Sequence, residues 1–418
     1  GQRRILLQKI IAMYLNCHSF HSLRYGTIPL QELVQQAAVF GVKAMALTDI
    51  NTVTGIYEFI KACAEVDIKP LVGIEFRSGS KLHFIGLAKN REGIGEMNRL
   101  VTQHNFKKTQ YPDQAPDFKN VFVIYPLENV PNVLQEHEFI GICPEQLTKL
   151  YNPGWKDRIE KMVILQPVTF RTKKEYNLHK VLRAIDLNII GSKLQEVDHC
   201  KLSEVMLVPD TLKGKYQDYP QIIGNTEYII DACNFKYDFS TPKNKKHFTK
   251  DGQSDIELLS SLAQQGMLWR YGGSNEEAKA RVKKELKVIH ELGFSGYFLI
   301  TWDIVRYSIS QGFLHIGRGS GANSIIAYCL GITDICPLEL DLYFERFLNL
   351  NRKTPPDFDI DWSWKERDII LAYIFNKYGN DHVAFCGTNV EFKYRSIFRE
   401  VGKVFGLPKE ELDALAKN

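Results

Sequence analysis

The sequence predicts an α/β protein of two or three domains, and three observations carry that reading. Residues 13–76 alternate between short apolar runs and stretches with apolar residues at helical spacing. Such strand–helix–strand alternation implies a parallel sheet with helices outside it. Further along, a long amphipathic helix leads to a glycine-rich turn and then to an extended run of alternating carboxylates. Finally, 418 residues exceed what one ordinary core holds.

Met13-Tyr14-Leu15 reads as a strand leading to His18 and His21, with Met13 as the natural start and residues 1–12 as an upstream segment. Leu30 to Phe40 carries Leu30, Leu33, Val34, Ala37 and Ala38 on one helical face, and Gly41 ends it. Ala44 to Asp49 is a short strand with a carboxylate at its end, Gly55 to Val66 a second helix, and Pro70 to Phe76 a third strand. The polar residues at these strand ends are Asn16, His18, Asp49 and Glu75, where sites in parallel sheets sit. His18 by itself reads as a hydrogen-bonded core histidine, and His21 as an exposed turn residue.

Between 77 and 235 the pattern is weaker. Val121–Tyr125 and Met162–Leu165 read as strands and Tyr176–Ile189 as a helix. Asp238 to Gly252, with Lys243, Lys245, Lys246 and Lys250, is the best linker signal, and 238–272 is assigned to a linker. Next, Asn275 to Leu292 reads as a helix with Ser274 and Glu277 at capping-box spacing. Val282, Leu286, Ile289 and Leu292 form its buried stripe, and its lysines and arginines read as a solvated face. Phe298–Ile309 is another helix.

The chemistry lies between Gly317 and Trp362. Phe313–Ile316 reads as a strand and Ala322–Leu330 as a helix, with Gly317-Arg318-Gly319-Ser320-Gly321 between them. A glycine loop before a helix offers backbone N–H groups to an anion, and Arg318 adds a planar, permanently charged fork. The spacing is not the dinucleotide fingerprint, and no Gly-Lys-Ser marks a P-loop. Asp357, Asp359 and Asp361 have period two and share one face of an extended run, with Phe358, Ile360 and Trp362 on the other. A calcium loop requires glycine and glutamate where Trp362 and Asp368 stand. Carboxylates at this spacing suit paired Mg²⁺ ions and phosphoryl or nucleotidyl transfer.

Eight scattered cysteines without a Cys-x-x-Cys argue against a disulfide framework or zinc site and for a reducing, cytoplasmic setting. A net charge of +4 permits a nucleic-acid partner without requiring one. No run is apolar for the ~20 residues a membrane span needs. The basic, apolar N-terminus lacks a cleavage site, so it is not read as a secretory signal.

The N-terminal part resembles the PHP domain, a barrel of metal-dependent phosphoesterases. Its His-x-His motif stands here as Asn16-Cys17-His18, Tyr25 replaces the following aspartate, Thr-Asp-His appears as Thr48-Asp49-Ile50, and Gly-x-Glu is kept as Gly73-Ile74-Glu75. Asn, Tyr and Ile do not replace metal ligands at comparable affinity. The resemblance therefore implies a PHP fold with an eroded, empty metal site (His18, Asp49, Glu75) and a structural or docking role. Phosphoesterase or 3′–5′ exonuclease activity is the alternative, as is a replisome binding module.

The motifs Gly317–Ser324, Ala327-Tyr328, Gly331–Asp334, Pro337-Leu338, Phe344–Asn349 and Pro356–Asp361 resemble the palm of bacterial C-family DNA polymerases, the DNA polymerase III alpha subunits. That family also begins with a PHP domain. The resemblance implies a PHP-type (β/α) barrel over 13–237, a mixed α/β palm over 273–385 and the start of a helical thumb over 386–418. It implies DNA synthesis from dNTPs on primer–template DNA with two Mg²⁺ ions held by Asp357 and Asp359, Asp361 supporting. Arg318, Gly319, Ser320 and Arg346 would bind the dNTP phosphates. Sliding clamp, exonuclease and other replisome subunits are the implied partners. The family's third aspartate lies further downstream, so the sequence is expected to be an N-terminal part that does not extend primers alone.

Overall fold

The computed structural model describes residues 14–241, 243, 245–351, 356–388 and 390–415. Met13 lies outside them. The chain forms two compact units, 1–237 with 388–418, and 238–387.

The first unit is built on a curled six-stranded sheet. In chain order its early elements are α1 (Leu30–Val39), β1 (Ala44–Leu47), α2 (Ile56–Glu65), β2 (Lys69–Ser78), β3 (Lys81–Ala88), α3 (Arg91–Lys107), β4 (Val121–Pro126) and β5 (Glu138–Ile142). There follow α4 (Pro153–Lys156), β6 (Met162–Ile164), α5 (Lys173–Leu187), α6 (Pro209–Lys215) and α7 (Pro220–Ala232). Strand order follows chain order. The β1–β2, β4–β5 and β5–β6 pairs are parallel, but β2–β3 and β3–β4 are antiparallel. The parallel pairing expected of the first three strands holds, since Tyr14 bridges Met45 and β1 pairs β2 in parallel, but β3 makes the sheet as a whole a mixed one. The cause is the tight turn at Ser78-Gly79-Ser80, where Gly79 has φ +61°, a left-handed conformation open to glycine. It folds β3 straight back on β2.

Both sheet faces are covered. Tyr14, Met45, Phe59, Val72, Ile74, Phe76, Phe84 and Tyr125 pack on one, and Leu15, Ala46, Leu71, Ile85, Ile124 and Ile229 on the other. The fully apolar run Val121–Pro126 is buried at every position, as double-sided burial requires. Of the strand expected at Met13–Leu15, Tyr14 forms an isolated parallel bridge to Met45, and a further bridge joins Cys17 to Val168.

The second unit starts with α8 (Gly252–Tyr271), α9 (Glu276–Glu291) and α10 (Ser295–Ser310). Residues 252–271 were expected within the linker, and the structure corrects this. Leu259, Ala263 and Met267 recur on one buried face, and Asp251 caps the helix by accepting from the Ser254 N–H at 2.8 Å. The α9 cap is likewise Asn275, which accepts from Ala278 N–H at 2.9 Å, and not Ser274. Next come β7 (His315–Arg318), the short α11 (Ile325–Cys329), β8 (Asp359–Trp362) and α12 (Arg367–Tyr378). Leu259, Ile289, Phe298, Ile326, Phe344 and Phe347 form this unit's core. The basic face of α9 is only partly solvated: Arg281 bonds Glu285 and the carbonyls of Asn323 and Leu342.

The chain then returns to the first unit. There α13 (Tyr394–Val404) lays Val404 on Ala184 and Ile185 of α5, and α14 (Lys409–Leu415) packs on α13.

Candidate functional site

The glycine loop and the carboxylates meet in a two-stranded antiparallel ribbon. β7 pairs with β8 so that Arg318 lies opposite Asp359, Gly317 opposite Ile360, Ile316 opposite Asp361 and His315 opposite Trp362. Opposed residues of such a pair share a face. One face thus carries Arg318, Asp359 and Asp361 into solvent, and the other turns Ile360 and Trp362 inward, as the alternation required. Trp362 donates its indole N–H to Ser308 Oγ at 2.7 Å. Phe358 stacks on Tyr297 and meets Phe298 and Phe347 edge-on or tilted. Its N–H donates to the Tyr297 hydroxyl at 3.2 Å. Aromatic packing behind the strand therefore fixes where the carboxylates in front of it point.

Each loop glycine has its own reason. A Cβ on Gly317 would lie 2.0 Å from the Ile332 carbonyl oxygen. That close approach lets Thr333 Oγ1 donate to the Gly317 carbonyl at 2.8 Å. Gly319 has φ +70° and would press a Cβ to 2.6 Å from Asp359 Oδ2, while one on Gly321 would meet Phe358 at 2.7 Å. The loop lies against the aspartate strand because Gly319 and Gly321, which face it, carry no side chains.

Arg318 is the centre of charge. Its Nε donates to Asp361 Oδ2 at 2.7 Å and Nη1 to Asp359 Oδ2 at 3.3 Å, with all three side chains about half exposed. Asp361 and then Asp359 stabilise its positive charge further. The sequence placed Arg318 in a turn, whereas here it ends a strand. Residues 319–323 form a 3₁₀ turn, and the helix expected at 322–330 is confined to 325–329, capped by Ser324. Ser324 Oγ accepts from Ala327 N–H at 3.2 Å and donates to the buried Glu285 at 2.8 Å. Gly319 and Ser320 thus lie at the head of a 3₁₀ turn rather than of a long helix. Asp357 precedes β8 and is exposed; Arg346 is exposed on a separate 3₁₀ turn at 344–346.

The strand-end residues of the first unit also converge, but in a buried place. Asn16 Nδ2 donates to Glu75 Oε2 at 2.7 Å, and His18 Nε2 lies 3.1 Å from the same oxygen. Arg77 Nε donates to Glu75 Oε1. Asp49 accepts from Ser19 N–H at 2.7 Å, Ser19 Oγ at 2.7 Å and Ser22 Oγ at 2.6 Å. Burial raises the Asp49 carboxyl above its ordinary range, against the pull of those three donors. For Glu75 burial acts the same way, yet Arg77 and His18 outweigh it and hold the carboxyl well below the usual range. The core-histidine reading of His18 fits this geometry. His21 is corrected: its ring is largely buried against Gly55, where a Cβ would meet it at 2.7 Å. Arg77 is not predicted by the sequence pattern, because it reaches Glu75 across a register shift between Phe76 and Arg77.

Among the described residues, no three His, Cys, Asp or Glu side chains cluster closely enough to hold a metal ion by themselves.

Residues 257–418 match the family model described as the bacterial DNA polymerase III alpha NTPase domain, and residues 15–136 match the PHP domain. The chain is thus similar, along nearly its whole length, to bacterial DNA polymerases of the III alpha and error-prone kinds. An error-prone DNA polymerase of Symbiobacterium thermophilum is 30% identical over 97% of this chain and 42% of its own length. The DNA polymerase III subunit alpha of Bacillus subtilis is 29% identical over 97% of this chain and 39% of its own, and that of Streptococcus pyogenes 30% over 96% and 38%. The chain spans about two fifths of the length of these relatives. Among the described residues no helix is long and apolar enough to cross a membrane.

Proposed function

We propose that residues 315–362 form the metal- and triphosphate-binding part of a template-directed DNA polymerase palm. The carrying observation is the register of β7 on β8, which sets the glycine loop and its arginine on the same exposed face as Asp359 and Asp361.

The donor set fits magnesium. Mg²⁺ is a hard cation usually bound by one or two carboxylates together with substrate phosphates, not by an all-protein cage. Exposed carboxylate oxygens beside an anion-seeking loop meet that requirement, and Asp357 and Asp359 are the residues that would hold it. The bound ions would supply activation of the primer 3′-hydroxyl and charge for the pyrophosphate leaving group. The protein's own part is positional. Phe358 and Trp362 lock the strand from behind, and the three glycines of the loop leave room for the polyphosphate. Arg318, neutralised here by two carboxylates, is within reach of phosphate oxygens once those carboxylates are otherwise engaged. Asp361 then acts as the tether that keeps Arg318 on this face, and Arg346 adds charge for the phosphates. Primer–template DNA, dNTPs, a sliding clamp, an exonuclease and other replisome subunits are the partners this reading assigns to the polymerase, in the cytoplasm.

Mn²⁺ binding to the 418-residue chain, followed by electron paramagnetic resonance, tests the site. Asp359→Asn and Asp357→Asn are each expected to weaken binding at least tenfold, and Asp361→Asn by less. Equal binding by the wild-type chain and a double Asp357→Asn/Asp359→Asn variant would remove the basis of the proposal.

A further inference from the structure

The buried polar cluster of the first unit raises a separate question, because its donors do not fit a metal ion. A metal needs free lone pairs on carboxylates and imidazoles. Here Glu75 Oε2 accepts from Asn16 at 2.7 Å and faces His18 Nε2 at 3.1 Å, while Oε1 accepts from Arg77. Both oxygens of Asp49 are occupied by Ser19 and Ser22. The second His18 nitrogen lies 3.0 Å from Thr169 Oγ1, which donates to Glu204 at 2.8 Å. The set is already saturated with protons.

Arg77 brings the compensating charge. It follows Glu75 on β2, across a register shift between Phe76 and Arg77 that re-aims the side chain. Asn51 clamps its backbone from both sides, accepting from Arg77 N–H and donating to Arg77 O, each at 2.9 Å. The guanidinium lies 4.9 Å from the centre of the Tyr25 ring, whose far neighbours are Arg183 at 5.5 Å and His179. Tyr25, which replaces a carboxylate of the family motif, thus presents a π face to a cation. Glu75 is fully buried and Arg77 16% exposed, so the pair is largely withdrawn from water.

We infer that Arg77 takes the place of a metal ion in this unit. Its guanidinium is the fixed cation around which Asn16, His18, Tyr25 and Glu75 close. The unit therefore folds without divalent metal, and these residues do not carry out metal-dependent phosphoester hydrolysis.

Thermal unfolding of the whole chain tests this. For the wild type, exhaustive chelation followed by added Mn²⁺ or Zn²⁺ is expected to shift the first unit's Tm by less than about 2 °C. Arg77→Met leaves Glu75 buried and unpaired, and its Tm is expected to fall by roughly 10 °C. Glu75→Gln/Arg77→Met removes both charges and should regain more than half of that loss. Three results would each overturn the inference: a wild-type Tm that drops on chelation and returns with metal, an Arg77→Met variant as stable as wild type, or a double variant no more stable than the single one. The chelation result stands even where a variant fails to fold.

Discussion

Protonating one buried histidine should account for much of the acid sensitivity of the first unit. His179 on α5 is fully buried between two backbone groups. Its Nδ1–H donates to the Tyr25 carbonyl at 2.7 Å, and its Nε2 accepts from the Cys200 N–H at 2.9 Å. Only the neutral Nδ1-protonated ring satisfies both partners. A proton on Nε2 would face the Cys200 N–H directly. Burial, together with the nearby Arg183 charge, pushes the histidine down to about 4 despite the favourable Tyr25 contact. In the unfolded chain it titrates near 6.5. Between those values the unfolded state binds the extra proton, so stability is full above pH ~6.5 and falls as the pH drops toward ~4. The gap corresponds to about 3 kcal/mol. For a unit of this size that is roughly 6–12 °C in Tm. His179→Gln keeps a donor and an acceptor but does not titrate. Calorimetric scans at pH 7, 6, 5 and 4 should show the wild-type and variant curves diverging by that amount at the acid end, with the wild type losing more. Parallel curves would refute the reasoning.

The second unit offers further tests. Gly317→Ala forces a Cβ to 2.0 Å from a carbonyl oxygen, and backbone must move to relieve it; a loss of about 2–4 kcal/mol in urea unfolding is expected. Ser324→Ala removes a helix cap and a donor to buried Glu285, and should cost about 1–3 kcal/mol by the same assay. Arg318→Ala frees Asp359 and Asp361 from their internal counter-charge. Mn²⁺ titration should then show tighter metal binding, while binding of a fluorescent dNTP in the presence of metal should weaken.

How much of this was legible beforehand follows from what each residue responds to. The strands expected at 44–49 and 121–125 are found at Ala44–Leu47 and Val121–Pro126, because burial on both faces demands continuous apolar runs. The antiparallel excursion through β3 depends on a turn at Ser78-Gly79-Ser80, which the spacing of apolar runs does not reveal. The α8 helix was obscured by the lysine-rich run before it, although Leu259, Ala263 and Met267 already show its period. At the candidate site, the period-two aspartates told where they would face. Nothing in their spacing told that Arg318 would lie across them, because strand register between distant segments is set by packing of Phe358 and Trp362. Arg77 likewise acts through contacts with Tyr25 and Glu75 that only the folded sheet brings together.

The return of the chain to the first unit has a consequence for how the protein is made. Ala184 and Ile185 meet Val404 only after the whole of 238–387 has been synthesised. At roughly 5–20 residues per second, α5 waits some tens of seconds before α13 exists to cover it. For that interval a nascent apolar strip on α5 is open to solvent and to chaperones. Pauses in translation across 238–387 would lengthen the exposure, so codon choice in that stretch bears on the yield of a unit that it does not encode.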